Sequence, residues 1–304
     1  MANVLYLPCH AILCYDQYKL WTEMGHSCFS LGSYINPHSP HDNKRPPIPE
    51  GTYMEHFVSM ASVYSKDNLA PAWVEWADVI IVDHIPDWLL KNWSLIKNKK
   101  VVWRTIGQSI PQVEASLAPL RNDGLLVVRC SPKEATIPGY IGHDAIIRFY
   151  KDPAEFLNWT GGEKRVMTAA QYMKQRKEFC HSEVFKAATS GLHRIIYGPG
   201  NEDWGGQWGG CPDYDGLRQA YRDNACFFFT GTQPASHTLS YIEAAMTGIP
   251  IVAIGPVFGN SLFGRSQDTY EVHELIQNGV NGFWSDSIPQ LHEWCEALLN
   301  DKGL

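Results

Sequence analysis

Short apolar runs alternate with longer stretches of helical period along almost the whole chain. In the first half, Val4–Leu7, Cys28–Leu31, Val79–Val82, Val101–Thr105, Leu125–Val128 and Ile146–Phe149 read as strands. In the second half, Val166–Ala169, Arg194–Tyr197, Ala225–Thr230 and Ile251–Ile254 do so. Several of these runs are almost uninterrupted, the pattern of parallel strands covered on both faces. Between them, Asp16–Met24, Glu178–Thr189, Leu239–Thr247, Tyr270–Gln277 and Ile288–Leu299 carry helical patterns. This β–α alternation predicts a doubly wound α/β architecture, and it occurs twice.

The 304 residues leave room for two domains, each of about 150 residues. The pattern breaks near residues 150–163. Tyr150–Lys151–Asp152–Pro153 interrupts it, and Thr160–Gly161–Gly162 reads as a hinge before the next strand. The predicted domains are therefore 1–155 and 156–304. Asn36–Gly51, rich in Pro, His and Asn, predicts a long surface loop. No internal repeat is visible.

Composition narrows the function classes. A formal charge of −7 argues against broad, sequence-independent nucleic-acid binding. The N-terminal MANVLYLPCHAILCYD has no basic n-region and is broken by Pro8, His10 and Asp16. It predicts a first strand and loop, not a signal peptide, and hence a cytoplasmic chain. No apolar run is long enough for a membrane span. The eight cysteines form no C-x-x-C pair, so reduced, mostly buried thiols are expected. The twelve histidines show no H-x-x-x-H or H-E-x-x-H spacing, so a dedicated zinc site is not expected.

The richest stretch is TGTQPASHTLSYIEAAMTGIPIVAIG, Thr230 to Gly255. A buried strand enters a loop of small residues. A helix with Glu243 near its start follows, Gly248 and Pro250 stop it, and a second strand comes at once. Such a unit offers backbone N–H groups and a positive helix end to an anion. A carboxylate one turn in can accept hydrogen bonds from a ribose diol. Ser240-Tyr241-Ile242-Glu243 also fits a capping box, in which Glu243 would bond back to the helix start.

Several segments, in order, resemble the GT-B glycosyltransferases, specifically the large retaining family that includes sucrose-phosphate synthases and mannosyltransferases. They are Met24-Gly25-His26 before the second strand, Ala77–Val82 as the third strand, the Thr230–Gly255 block, and Asn278-Gly279-Val280-Asn281-Gly282-Phe283 ahead of a closing helix. The resemblance implies two Rossmann-like domains facing across a cleft, the first for an acceptor and the second for a nucleotide-sugar donor. It also implies metal-independent transfer to a hydroxyl with retention, with no metal site and no resident cofactor, the nucleoside diphosphate sugar serving as co-substrate. Glu243 matches the second glutamate of the family's E-x7-E pair, which binds the donor ribose. The first glutamate falls at Ala235. The arginine–lysine pair beside the donor phosphates falls at Gln171 and Lys177, with Arg176 adjacent. The N-terminal-domain histidine falls at Ile106.

The donor candidates are thus Glu243, the loop residues Ser236, His237, Thr238 and Leu239, and Gln171. Gly198 and Gly200 join them from a glycine-rich loop whose Trp204 or Trp208 would stack on a base or tuck onto the core. Lys177 and Arg176 are candidates for neutralising the leaving diphosphate; basic side chains are otherwise disfavoured at a helix start. On the acceptor side, Asp83 and His84 end a strand, where a carboxylate beside an imidazole can orient or deprotonate a hydroxyl. The same pair also reads as an ordinary turn. Thr105, Gly107 and Gln108 end the next strand, and His10 lies in the first loop. Three alternatives share the pattern: a compact viral-type transferase acting on modified DNA bases, a sugar-nucleotide epimerase, and a nucleotide-sugar binding protein without catalysis. Sugar, base, acceptor and oligomeric state are not encoded in these motifs.

Overall fold

The structure is a computed structural model that describes residues 1–32, 55–156, 158–233, 235–262, 265–266 and 268–301. The expected loop Asn36–Gly51 lies outside the described residues. The chain divides into two compact units, Met1–Tyr150 and Lys151–Leu304.

Unit 1 contains β1 (Asn3–Leu7), α1 (Ala11–Glu23), β2 (Ser27–Ser30), α2 (Glu55–Met60), α3 (Pro71–Trp76), β3 (Val79–Asp83), α4 (Pro86–Ile96), β4 (Lys100–Arg104), α5 (Pro111–Asn122), β5 (Leu126–Arg129) and β6 (Ala145–Ile146). Its strands pair in parallel in the order β2-β1-β3-β4-β5-β6. Three helices begin on a proline, Pro71, Pro86 and Pro111, where the missing N–H would have had no intrahelical partner. Helix α1 begins at Ala11 rather than at the expected Asp16, because His10 caps it by accepting from the Ile12 N–H at 3.3 Å. The expected strand Ile146–Phe149 shrinks to the two residues of β6.

Leu5, Leu7, Phe29, Trp73, Ile80 and Trp103 lead the core of unit 1. Inside it, Arg129 forks onto both oxygens of Glu114 at 2.5 and 2.9 Å, and both side chains are fully buried. The Gly142 carbonyl and the Tyr140 ring take up the rest of the guanidinium.

Unit 2 contains β7 (Glu163–Ala169), α6 (Lys177–Cys180), α7 (Ser182–Ala188), β8 (Arg194–Tyr197), α8 (Tyr214–Asp223), β9 (Asn224–Phe229), α9 (Leu239–Thr247), β10 (Ile251–Ile254), α10 (Pro256–Gly259), β11 (Ser261–Leu262), β12 (Arg265–Ser266), α11 (Val272–Leu275), β13 (Phe283–Ser285) and α12 (Ile288–Asn300). Its parallel sheet runs β13-β10-β9-β7-β8, with β11 and β12 as a separate antiparallel pair. Every residue of β9 is buried, as its apolar run predicts for a central strand.

The expected helix Glu178–Thr189 is two helices, parted at His181, whose φ is 47°. The break lets the imidazole Nε2 reach the Phe258 carbonyl at 2.7 Å. Burial lowers the His181 pKa to about 4. The expected helix Tyr270–Gln277 keeps only the four residues of α11.

Two outcomes follow from these buried groups. Arg129→Met should destabilise unit 1 by about 3–5 kcal/mol in urea, because Glu114 is left buried without its cation, whereas Arg129→Met with Glu114→Leu should recover most of the loss. For His181, the unfolded chain binds the proton more tightly than the folded one between pH 4 and 6.5. Stability is therefore complete above pH 6.5 and falls by about 3 kcal/mol as the pH drops toward 4. His181→Asn suits the left-handed backbone and should flatten that pH dependence in thermal melts. A slope equal to the parent's would assign the acid sensitivity elsewhere.

Candidate functional site

Strand order reverses once in each sheet, between β1 and β3 in unit 1 and between β7 and β9 in unit 2. In open parallel sheets, ligands bind beyond the carboxyl ends of the strands at such a point. In unit 2 the loops leaving β7 and β9 meet there. The Gln233 N–H donates to the Phe179 carbonyl at 3.0 Å, and its side-chain amide donates to the Phe258 and Gly259 carbonyls at 2.7 and 2.8 Å. Gln171, Arg176 and Lys177 therefore lie in the loop and helix start after β7, and Ser236 to Leu239 lie after β9. Gln171 and Lys177 are exposed and Arg176 is half-buried.

The glycine-rich loop after β8 is tied to the same edge. Buried Asn201 accepts from the Met173 N–H at 2.8 Å and donates to the carbonyls of Ala170 and Gly198 at 2.7 and 3.1 Å. At Gly198 φ is +121°, and a Cβ would stand 2.4 Å from the Ala170 carbonyl oxygen; at Gly200 φ is +72°, and a Cβ would strike the Tyr172 ring. Close backbone approach accounts for both glycines. Trp204 packs into the core against Phe185, and the Trp208 indole donates to the Gly198 carbonyl at 3.1 Å. Of the two expected positions for an indole, Trp204 takes the core one.

The N-cap of α9 is Thr238, whose hydroxyl shares a 2.7 Å hydrogen bond with Ser240 and caps no backbone N–H. No acidic residue stands in its first turn. Ser236 and His237 are buried, and Thr238 and Leu239 half-buried. Glu271 clamps this loop twice: its Oε1 lies 2.6 Å from His237 Nδ1, and its N–H donates to the Ser236 carbonyl at 3.2 Å.

Glu243 lies in the second turn of α9 and does not form the capping box, since the N-cap is Thr238 and not Ser240. Its Oε1 instead accepts from Lys151 Nζ at 2.6 Å, with both side chains buried. Tyr221 of α8 lies beside this carboxylate; burial, and then the charge of Glu243, raise the phenol pKa well above its usual value. Lys151, Glu271 and Asn201 are absent from the sequence candidates. Lys151 did leave a trace in the sequence, the pattern break at Tyr150–Pro153, but it reads there only as a boundary.

In unit 1, Asp83 is fully buried and committed to Arg104 at 2.9 and 3.2 Å and to the Tyr6 hydroxyl at 2.5 Å. His84, at φ 51°, donates its backbone N–H to the Arg104 carbonyl at 2.9 Å. Its Nδ1 is buried and meets no hydrogen-bond partner among the described residues. Burial lowers its pKa, so the imidazole is neutral at pH 7. Cys9 is pushed up to about 12 by burial and by the charge of Asp83. The Thr105 hydroxyl donates to Glu134 at 2.9 Å, and burial raises the pKa of that glutamate. Gly107 is buried, and Ile106 and Gln108 half-buried, just beyond β4. His10 is the cap of α1.

Among the described residues, no group of three or more His, Cys, Asp or Glu is arranged to hold a metal ion. No described helix is long and apolar enough to cross a membrane.

No family model and no curated protein matches the chain. Solved structures do. Anabaena HepE in complex with UDP-glucose aligns at a TM-score of 0.65 and 14% identity, over 100% of this chain and 91% of that one. A glycosyltransferase from Rickettsia africae ESF-5 aligns at 0.61 and 12% identity, over 98% and 88%. The spinosyn rhamnosyltransferase SpnG aligns at 0.51 and 14% identity, over 100% and 92%. These likenesses run through both parallel-stranded units, and the chain has the two-domain α/β fold of the GT-B glycosyltransferases.

Proposed function

We propose that the chain is a glycosyltransferase that moves a sugar from a nucleoside diphosphate sugar to an acceptor hydroxyl, with retention and without a metal ion. The observation that carries this reading is the β9–loop–α9 unit at the strand-order reversal of unit 2. The first turn of α9 has neither a side-chain cap nor an acidic residue, and a buried carboxylate stands in its second turn. A fold shared with a protein solved in complex with UDP-glucose supports it.

In this reading unit 2 holds the donor. The amides from Ser236 to Leu239 and the positive end of α9 take the diphosphate, with Gln171 at the same edge. Glu243 accepts the ribose hydroxyls. Lys177 and Arg176 neutralise the phosphate as its bond to the sugar breaks, a term that grows toward the transition state. The leaving phosphate takes the acceptor's proton, so no strong protein base is required. Unit 1 takes the acceptor through the loops after β1, β3 and β4, with His10, His84, Gly107 and Gln108 at their ends. Asp83 and Thr105, being buried, act there by holding Arg104 and Glu134 rather than by touching substrate.

A thermal-shift panel of UDP, GDP, ADP, CDP and their sugars tests the donor site. One nucleotide should raise the melting temperature, with about 2.7 kcal/mol of added stability at a hundredfold excess over its Kd. Glu243→Gln should then weaken its binding about tenfold or more. Glu243→Ala is the poorer probe, because the Lys151 ammonium left buried would itself cost about 3–5 kcal/mol. No shift with any nucleotide would refute the reading, and binding without turnover of any donor would make the chain a binding protein. Lys177→Ala changes an exposed side chain. It should lower kcat about tenfold or more with donor KM nearly unchanged; an unaltered kcat would remove Lys177 from the chemistry.

A further inference from the structure

We infer that Lys151 is a positioning residue that holds the Glu243 carboxylate in place for a pentose diol; the inference rests on the donor-site reading above. Lys151 belongs to neither α9 nor the loop before it. It reaches Glu243 across 92 positions of sequence, and the side chains are 1% and 5% exposed. A buried ion pair is rarely worth more to stability than an apolar pair of the same volume. Stability alone therefore does not account for a lysine here.

The form of the contact is informative. In the two buried arginine pairs both carboxylate oxygens are engaged, by Arg129 on Glu114 and by Arg104 with Tyr6 on Asp83. Lys151 instead makes a point contact on Oε1, with the Tyr221 phenol as the carboxylate's other neighbour. An ionised carboxylate offers about four lone-pair sites, so the Lys151 ammonium and the Tyr221 phenol leave capacity for two hydroxyl donors. It also supplies the opposite charge that a buried carboxylate requires. A glutamate side chain turns about three bonds, and a charged hydrogen bond to a fixed partner removes that freedom. The partner is fixed. Asp152, the next residue, caps the Pro153–Glu155 turn by accepting from the Ala154 N–H at 2.9 Å. Glu155 in that turn accepts from the Tyr214 hydroxyl of α8 at 2.5 Å, and its carbonyl accepts from Arg218. Lys151 thus approaches Glu243 from a segment fastened to α8.

Calorimetry on the full chain tests this with UDP, or whichever of GDP, ADP and CDP binds best, against its 2′,3′-dideoxy counterpart. The parent should prefer the ribonucleotide by about tenfold or more, the value of hydrogen bonds to a charged acceptor. Lys151→Met should bring that preference to within about threefold while the affinity for inorganic pyrophosphate stays at the parental value, and Lys151→Arg should restore the preference. If Lys151→Met does not fold by circular dichroism, Lys151→Gln carries the test at the same threshold. A preference unchanged in the variant would leave the donor reading standing and overturn the role of Lys151. A parent that binds no nucleotide, or binds one without preferring the ribo form, would overturn the pentose site and this inference together.

Discussion

A parallel sheet sends all its connections out at strand ends, and neighbouring loops part company only where the strand order reverses. In unit 2 that place lies between β7 and β9, and the arrangement of the candidate donor residues depends on it. A different order would put the loop bearing Arg176 and Lys177 and the loop bearing Ser236 to Leu239 on unrelated edges. The reversal alone would leave an open gap, which Gln233 spans, while Asn201 braces the β7 loop from its other side. Gln233 ties the β9 loop to Phe179 and to α10, and Asn201 ties the β7 loop to the β8 loop. The glycines at 198 and 200 let the chain come close enough for those bonds to form.

Burial of charge sets the second constraint. The carboxylates of Asp83, Glu114 and Glu243 are inside the protein, and each is matched by a cation. Asp83 and His84 are neighbours in sequence yet differ in kind. Asp83 is engaged on both oxygens by Arg104 and Tyr6, whereas His84 keeps a buried ring nitrogen without a partner among the described residues.

The parts of the fold that local pattern controls were legible in the sequence. Arg194–Tyr197, Ile251–Ile254 and Leu239–Thr247 have the bounds their patterns predict, because each is an apolar or helical run stopped by glycine, proline or a polar turn. Failures occur where a distant group decides. His181 splits a helix-like run because its imidazole bonds to a carbonyl 77 residues away, and β13, three residues long, exists by pairing with β10. The same holds for the candidate site. Residues inside the local strand–loop–helix pattern, such as His237 and Glu243, were visible as candidates. Lys151, Glu271 and Asn201 were not, since nothing in their local sequence marks a partner dozens of positions away.

Those hidden partners bear on how the end of α9 can work. A positive helix end attracts an anion only if carboxylates nearby do not cancel it. Two carboxylates of the described residues, Glu271 and Glu243, concern this region. Glu271 is hydrogen-bonded to His237 in the loop, and Glu243 is bonded to Lys151 in the second turn. The first turn itself carries none, and the position where the resembled family has a further glutamate is the buried Ala235. With each carboxylate given its own partner, neither is left to oppose the positive end of α9. Lys177 and Arg176, across the strand-order reversal, add to it with the same sign.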